Sequence, residues 1–255
     1  MISGLVMTGA TVLASKAAVG TTDFKAMLDF DYGNVGTVYR VVRRLSTRRG
    51  RRGMTAAGEL KAPATKPVLR RTIVLVGLMG AGKSSIGRRL ATRLHTDFVD
   101  ADNAIEEAAG SSIADIFAKH GEAAFREGER KVVARLLDGP PHVLATGGGA
   151  FMDPATRARV RASAFSIWLR ADLDVLLRRV QRRSDRPLLK NGDPREIMTR
   201  LMAERYPVYA EADLTVDTTD APHVVVVDDI VRRIVARADA NAIVLGLRAE
   251  EVATI

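Results

Sequence analysis

The stretch GLMGAGKS, residues 77–84, contains the residues that most directly suggest chemistry. Two glycines separated by four residues are followed by Lys83 and Ser84, directly after the apolar residues 73–76. A glycine-rich turn between a strand and a helix points backbone N–H groups at phosphates, and the helix N-terminus adds partial positive charge. We therefore expect Lys83 to reach the β- and γ-phosphates of a nucleoside triphosphate and Ser84 to bind Mg²⁺.

Two carboxylates follow a second apolar segment. Asp100 and Asp102 are two residues apart in VDADNAIEE, and side chains at that spacing in an extended chain point the same way. Both can therefore enter one cleft, where Mg²⁺ or a polyhydroxylated substrate would offset their repulsion. The alternative is that Asp102 only caps the helix that follows.

A third segment, TGGGAF at residues 146–151, contains three consecutive glycines. Three glycines in a row cost more backbone entropy than a tight turn requires. The segment therefore indicates either a close approach to the main chain, which favours a ligand, or a plain loop.

Two arginines could hold a carboxylate through paired hydrogen bonds. Arg126 is predicted on a helix with Glu129 three residues later on the same face, and Arg205 lies in MAERYPVY. Taken singly, each is also typical of a surface arginine. The four histidines show no spacing suited to zinc, and the absence of cysteine excludes a thiol nucleophile and disulfides and fits a reducing cytoplasm.

These segments lie within an alternation of short apolar runs and longer helical patterns, which is typical of a parallel sheet covered by helices. The pattern predicts five strands, at residues 72–77, 97–100, 142–147, 165–169 and 214–218. It predicts helices at residues 83–94, 102–109, 112–119, 122–138, 155–161, 172–182, 195–209 and 223–238. We therefore expect one α/β domain over residues 72–240, a five-stranded parallel sheet with helices on both faces.

The segments outside this pattern are assigned separately. Residues 182–194, RRSDRPLLKNGDP, are either a small lid over the phosphates or a solvated connector. Residues 241–255 are a C-terminal tail of unexplained role. The apolar runs are too short or interrupted for a membrane span.

The net charge of +9 belongs to the N-terminal part of the chain. Residues 1–71 hold 13 of the 39 basic and 4 of the 30 acidic side chains, so the remaining residues carry 26 of each. We expect a basic, disordered extension, with contact to RNA or anionic lipid as the alternative. Translation of the natural protein from Met54 is a further alternative.

Six segments in this order resemble the shikimate kinase family, whose members phosphorylate the 3-hydroxyl of shikimate with ATP. They are GLMGAGKSSIGRRLA, DFVDADNAIEEAAGSSIADIF, GEAAFREGE, TGGGA, DRPLL and AERYPVY. The resemblance covers residues 72–237. It implies a P-loop fold of the nucleoside-monophosphate-kinase type, with a substrate-binding helical segment at residues 102–138 and the lid at residues 182–194.

The resemblance also implies roles for individual residues. The nucleotide phosphates would lie on Gly80, Ala81, Gly82, Lys83, Ser84 and Ser85. Shikimate would lie on Asp102, Arg126, Gly147, Gly148, Gly149 and Arg205. Mg²⁺ would be bound by Ser84, and by Asp100 through water. Arg186 would be the lid arginine, Arg179 would cover the adenine, and the catalytic residues would be Lys83, Asp102 and Arg186.

The implied reaction uses ATP and Mg²⁺ in a cytoplasmic monomer that needs neither nucleic acid nor a membrane. Where the family can place an arginine near the adenine, this sequence has TDAPHV, so Ala221 and Pro222 would pack on the ring instead. Two other functions stay open on the residues alone. One is a related small-metabolite kinase, such as one acting on gluconate, and the other is a nucleotide switch whose basic tail holds nucleic acid.

Overall fold

The apolar run before the glycine-rich loop (residues 77–84) forms the central strand of a parallel sheet. In the computed structural model, which describes residues 67–181, 192–237 and 239–245, all five residues of this strand, Thr72–Val76, are buried. A strand covered on both faces must be apolar throughout, which explains why TIVLV shows no alternation.

The elements are numbered in chain order. The strands are β1 (Val68–Leu69), β2 (Thr72–Val76), β3 (Phe98–Asp100), β4 (Val143–Ala145), β5 (Ala164–Arg170), β6 (Leu214–Asp217) and β7 (Val244–Leu245). The helices are α1 (Lys83–Arg93), α2 (Ala101–Ala109), α3 (Ile113–Asp138), α4 (Pro154–Ser163), α5 (Leu173–Gln181), α6 (Pro194–Tyr209), α7 (His223–Val235) and α8 (Ala240–Ile243). A short 3₁₀ helix, Ala150–Met152, follows the three glycines.

The main sheet has the strand order β3-β4-β2-β5-β6, and every pairing in it is parallel. The predicted five-stranded parallel sheet with helices is therefore confirmed. Because β4 lies directly beside β2, the loops that follow these two strands leave the same edge of the sheet side by side. This neighbour relation brings the triple glycine (Gly147, Gly148 and Gly149) next to the glycine-rich loop.

The substrate-binding segment contains a break in α3. Gly121 has φ 78° and ψ 175°, which is not helical. The left-handed φ is accessible to glycine without a Cβ clash, so the chain can turn here and continue as a second helix. This agrees with the two helices predicted on either side of residues 120–121.

The sequence pattern missed a second, two-stranded sheet. Strand β1 pairs antiparallel with β7, with Val68 opposite Leu245, and the N–H of Arg70 donates to the carbonyl of Ile243 over 2.9 Å. Ordered backbone thus extends on both sides of the predicted range 72–240. Two-residue strands carry too little hydrophobic periodicity to be found in a sequence.

Most of the segments that were assigned separately lie outside the described residues. These are residues 1–66 of the basic extension, residues 182–191 of the lid, and residues 246–255 of the tail. No helix in the described ranges is long and apolar enough to cross a membrane.

Candidate active site

The glycine-rich loop has the backbone conformation of a phosphate cradle. Gly80 and Gly82 have φ values of 82° and 96°, in the left-handed region that favours glycine. Gly82 is also the N-cap residue of α1, and no side chain caps that helix end. Free N–H groups and the positive end of the α1 dipole therefore face the loop, as an anion site requires.

The ammonium group of Lys83 lies over this loop. Its Nζ donates hydrogen bonds to the carbonyl of Gly77 over 2.8 Å and to that of Leu78 over 3.1 Å. The loop carbonyls thus hold the lysine folded back across the cradle. A phosphate that enters the cradle would meet the positive charge there.

Ser84 and Asp100 are joined directly. The Ser84 hydroxyl donates to Oδ2 of Asp100 over 2.7 Å, and Oδ1 of Asp100 accepts the N–H of Asp102 over 3.2 Å. The side chain that caps α2 is therefore Asp100, so the interpretation of Asp102 as the cap is wrong. Asp102 therefore lies in the first turn of α2 and does not cap it.

The triple glycine is crowded by charged side chains of the protein itself. A Cβ built on Gly147 would lie 2.6 Å from Oε1 of Glu129 and 2.9 Å from Oδ1 of Asp102. A Cβ on Gly149 would collide with the guanidinium group of Arg126. The close approach to the main chain predicted from the three glycines is thus made by an acid pair and an arginine.

Gly148 connects this group to the other elements of the site. A Cβ on Gly148 would lie 3.2 Å from Nη1 of Arg205 and 3.7 Å from the carbonyl oxygen of Gly77 in the glycine-rich loop. The Gly148 carbonyl also accepts a hydrogen bond from the Tyr209 hydroxyl. Gly148 is therefore close to both the glycine-rich loop and the charged side chains.

Arg126 is held by two glutamates. Its Nη1 donates to Glu129 over 2.8 Å and its Nη2 to Glu122 over 3.1 Å. Burial acts to lower the pKa of Arg126, but its hydrogen bonds and charge pairs with Glu129 and Glu122 outweigh burial and raise it. The arginine is a fixed cation, with 36% of its side chain still exposed to take a ligand.

Glu129 is a site residue that the predicted set did not include. Only 4% of its side chain is exposed, and burial raises its pKa although Arg126 acts in the opposite direction. The charges of Asp102 and Arg205 also act on this carboxyl, which places it at the centre of the group. Its spacing of three residues from Arg126 was the available signal, but that spacing also describes ordinary surface pairs.

Aromatic packing fixes the helix that carries Arg205. The Trp168 ring on β5 meets the Tyr206 ring edge to face at 4.8 Å between centroids, and the Tyr206 hydroxyl donates to the carbonyl of Ala171 over 2.5 Å. Tyr209 is fully buried one turn after Arg205, and burial raises its pKa. Tyr206 and Tyr209 thus attach α6 to the sheet and aim Arg205 at Gly148.

Arg179 lies on the other side of the glycine-rich loop. Its Nη1 donates to the carbonyl of Gly80 over 3.2 Å and contacts the Thr218 hydroxyl at 3.4 Å, and its Nη2 donates to the carbonyl of Thr219. These contacts join the loop to the segment after β6, where the adenine contact is predicted. Arg186 lies outside the described residues.

Comparisons with known proteins agree with this geometry. Residues 79–236 match the family model described as shikimate kinase. The shikimate kinase of Paramagnetospirillum magneticum is 67% identical over 159 residues, which cover 62% of this chain and 82% of that relative. The shikimate kinase of Bradyrhizobium diazoefficiens is 61% identical over 161 residues, covering 63% of this chain and 78% of that relative.

Solved structures of shikimate kinases are also similar to this chain. Shikimate kinase from Acinetobacter baumannii in complex with shikimate superposes with a TM-score of 0.62 and 36% identity, over 64% of this chain and 92% of that one. Shikimate kinase from Aquifex aeolicus superposes with a TM-score of 0.54 and 30% identity, over 62% and 92% of the two chains.

Proposed function

The chain belongs to the shikimate kinase family, and we propose that its two substrates meet between the glycine-rich loop and the triple glycine. It transfers the γ-phosphoryl group of ATP to the 3-hydroxyl of shikimate, giving shikimate 3-phosphate. One observation supports the site above all others: Asp102, Arg126 and Arg205, from three different helices, converge on the triple glycine.

The charged group matches the chemistry of shikimate. Shikimate has one carboxylate and three hydroxyls on a small ring, so two guanidinium groups and one carboxylate form a complementary set. Arg126 and Arg205 would bind the carboxylate of shikimate. Asp102 would accept a hydrogen bond from the 3-hydroxyl, orient it toward the phosphate and accept its proton during attack.

Glu129 would hold Arg126 in place. Replacement of a buried, hydrogen-bonded acid would let the guanidinium rotate away, so Glu129 acts through Arg126 and is a positioning residue.

The opposite wall of the cleft would stabilise the transferring phosphoryl group. Residues 80–85 would hold the phosphates through backbone N–H groups, and Lys83 would exchange its loop carbonyls for phosphate oxygens. Lys83, together with Arg186 of the lid, would offset the negative charge that develops as the phosphoryl group moves. Arg179 would lie at the adenine end.

The residues beside the cradle suit Mg²⁺. This ion prefers oxygen ligands and keeps several waters, so one hydroxyl and one carboxylate are sufficient protein ligands. Ser84 would be a direct ligand, and Asp100, whose Oδ2 lies 2.7 Å from the Ser84 hydroxyl, would act through a water. The described residues contain no cluster of three or more His, Cys, Asp or Glu side chains that could replace this pair. When bound, Mg²⁺ would neutralise negative charge on the phosphates.

Both walls of the proposed cleft come from one chain, so we also expect a monomer. We further expect that the reaction needs no nucleic acid and takes place in the cytoplasm. Of the segments at the ends, we retain the basic extension and the C-terminal tail as parts without a role in the reaction.

A coupled assay of ADP release tests the reaction. We expect release to require shikimate and to stay near background with gluconate or without an acceptor. Dependence on gluconate would assign the chain to a related metabolite kinase, and slow release without any acceptor would favour the nucleotide switch.

Asp102→Asn tests the site. This variant keeps the size of the side chain but weakens proton acceptance, so kcat should fall while ADP binding is unchanged. A matched substitution outside the cleft, Asp138→Asn on the surface, should leave both quantities as they are. Unchanged kcat in Asp102→Asn would contradict the proposed role.

A further inference from the structure

His223 begins α7, and its ring lies against the glycine-rich loop. A Cβ built on Gly82 would lie 3.6 Å from Nε2 of His223, and the residue is partly buried. Neither the spacing of the four histidines nor the family resemblance singles this residue out. Its imidazole nevertheless lies at the loop that is proposed to hold phosphates.

The charged groups that act on His223 are cations. Burial lowers its pKa, and the positive charges of Arg89 on α1 and Arg179 on α5 lower it further. The nearest acid along the chain, Asp220, is ion-paired with Arg178. These surroundings favour the neutral imidazole, and their positive charge also attracts an anion.

The position of Arg179 indicates which part of the nucleotide would reach the ring. Arg179 bonds both Gly80 and the segment after β6, where the nucleoside end is expected, whereas Lys83 serves the β- and γ-phosphates. The ring of His223 lies beside Gly82, and the charge of Arg179 acts on it. The phosphate next to the nucleoside is thus the nearest acidic group of a bound nucleotide.

We propose that His223 is a nucleotide-binding residue that donates a hydrogen bond from its imidazole to the α-phosphate. This inference rests on the proposed phosphate site in the glycine-rich loop. It adds a side-chain contact at Gly82 to the backbone contacts proposed for that loop.

The contact makes nucleotide binding depend on pH. The negative charge of the phosphate opposes the field of Arg89 and Arg179, so the pKa of His223 rises when nucleotide binds. The imidazole then takes up a proton from solvent, and a protonated imidazole forms the stronger, charge-assisted hydrogen bond. Nucleotide should therefore bind more tightly as pH falls through the range in which the imidazole titrates.

Titration calorimetry with ADP tests the proposal. The wild-type protein, His223→Gln and His95→Asn are compared at about pH 6 and about pH 8. His95 is an exposed histidine beyond the far end of α1 with φ 51°, a conformation that asparagine tolerates. We expect His223→Gln to weaken ADP binding about tenfold at the lower pH and far less at the higher one.

The His95→Asn control and the number of protons taken up on ADP binding show whether the effect belongs to His223. His95→Asn should match the wild type at both pH values, and titration of ADP itself is common to all three proteins. Repeating the titration in buffers of different ionisation enthalpy should show smaller proton uptake in His223→Gln than in the wild type. Equal proton uptake and equal pH dependence in the two would overturn the proposal.

Two further measurements distinguish loss of the His223 contact from loss of the fold or of the whole phosphate site. His223→Asn is a second variant, and if both variants keep the wild-type thermal midpoint, loss of binding is not loss of fold. If ADP fails to bind the wild-type protein, the phosphate site in the glycine-rich loop is itself wrong, and this inference falls with it.

Discussion

The two walls of the proposed cleft, the glycine-rich loop and the side chains around the triple glycine, are built by different means. The glycine-rich loop is one continuous stretch whose backbone N–H groups are proposed to bind phosphate. Gly80 and Gly82 have left-handed φ values, and Lys83 donates to loop carbonyls. The acceptor wall is a group of side chains from α2, α3 and α6 packed around the triple glycine. Phosphates are common to many substrates, so a backbone cradle suffices, whereas recognition of one metabolite requires side chains of chosen charge.

This difference teaches where each wall is sensitive. A change in the loop should impair phosphoryl transfer and spare shikimate binding, whereas a change at the triple glycine should impair the use of shikimate and spare nucleotide binding. The first two of the following substitutions test that separation, the third tests the metal position, and the fourth lies outside both walls.

The largest effect is expected for Lys83→Met. Loss of the cation over the cradle removes stabilisation of the transferring phosphoryl group, so kcat should fall by about 10²- to 10³-fold. Shikimate binding, measured by calorimetry, should stay as it is. Lys131→Met, which breaks a surface pair with Glu127, is the matched control; a comparable loss in that variant would mean that the effect is not specific to the cradle.

Gly149→Ala should affect the other wall. Its Cβ would meet the Arg126 guanidinium, which is the flexible end of a side chain, so the arginine moves while the fold is kept. We expect KM for shikimate to rise by about tenfold or more, as for a lost charged hydrogen bond, with unchanged ADP binding. Gly139→Ala, where a Cβ lies 3.3 Å from the carbonyl of Leu136, should behave as the wild type. Loss of ADP binding in Gly149→Ala would break the separation.

Ser84→Ala tests the metal position between the two walls. Removal of the hydroxyl breaks its 2.7 Å contact with Asp100, so the Mg²⁺ concentration for half-maximal rate should rise about tenfold. Chelation of the metal should stop turnover in the wild type and the variant alike. Ser163→Ala on the surface of α4 serves as the control. An unchanged Mg²⁺ requirement in Ser84→Ala would remove this residue from the metal site.

The smallest effect is expected outside both walls, at His142. Burial lowers the pKa of this histidine, although its hydrogen bond to Pro140 opposes that shift. The unfolded chain therefore binds the proton more readily, so stability present above the usual histidine pKa is lost as pH falls below it. His142→Asn should flatten the decline of the thermal midpoint between about pH 7 and about pH 5, with both KM values unchanged. A steeper decline in the variant would mean that folding does not lower the pKa of His142.

The main sheet was predictable because its signals are local. Runs such as TIVLV are apolar throughout when both faces are covered, and each of the five predicted strands corresponds to a strand of the sheet. The pair β1 and β7 was not predicted, because two-residue strands form only through a partner more than 170 residues away. Sequence periodicity does not record such a pairing.

The candidate site likewise has a part that the sequence predicted and a part that it did not. The glycine-rich loop could be recognised from one contiguous motif, since its hydrogen bonds and φ values are set by neighbouring residues. Glu129 was noted only as a neighbour of Arg126, because its burial depends on Gly147 in a different element. Asp100 and not Asp102 caps α2, because the Asp100 side chain accepts a hydrogen bond from the N–H of Asp102. The sequence alone did not distinguish the two.

By itself, then, the sequence determined a parallel α/β sheet, a phosphate loop and a list of acids and arginines that fit shikimate. The tertiary structure decided that β4 lies beside β2, which brings Gly148 next to Gly77, and that α6 packs where Arg205 reaches Gly148. The physical reason is the sequence separation of the interacting residues. Backbone conformation in the loop depends on residues a few positions apart, whereas the acceptor wall forms only because helices packed on the sheet bring distant side chains together.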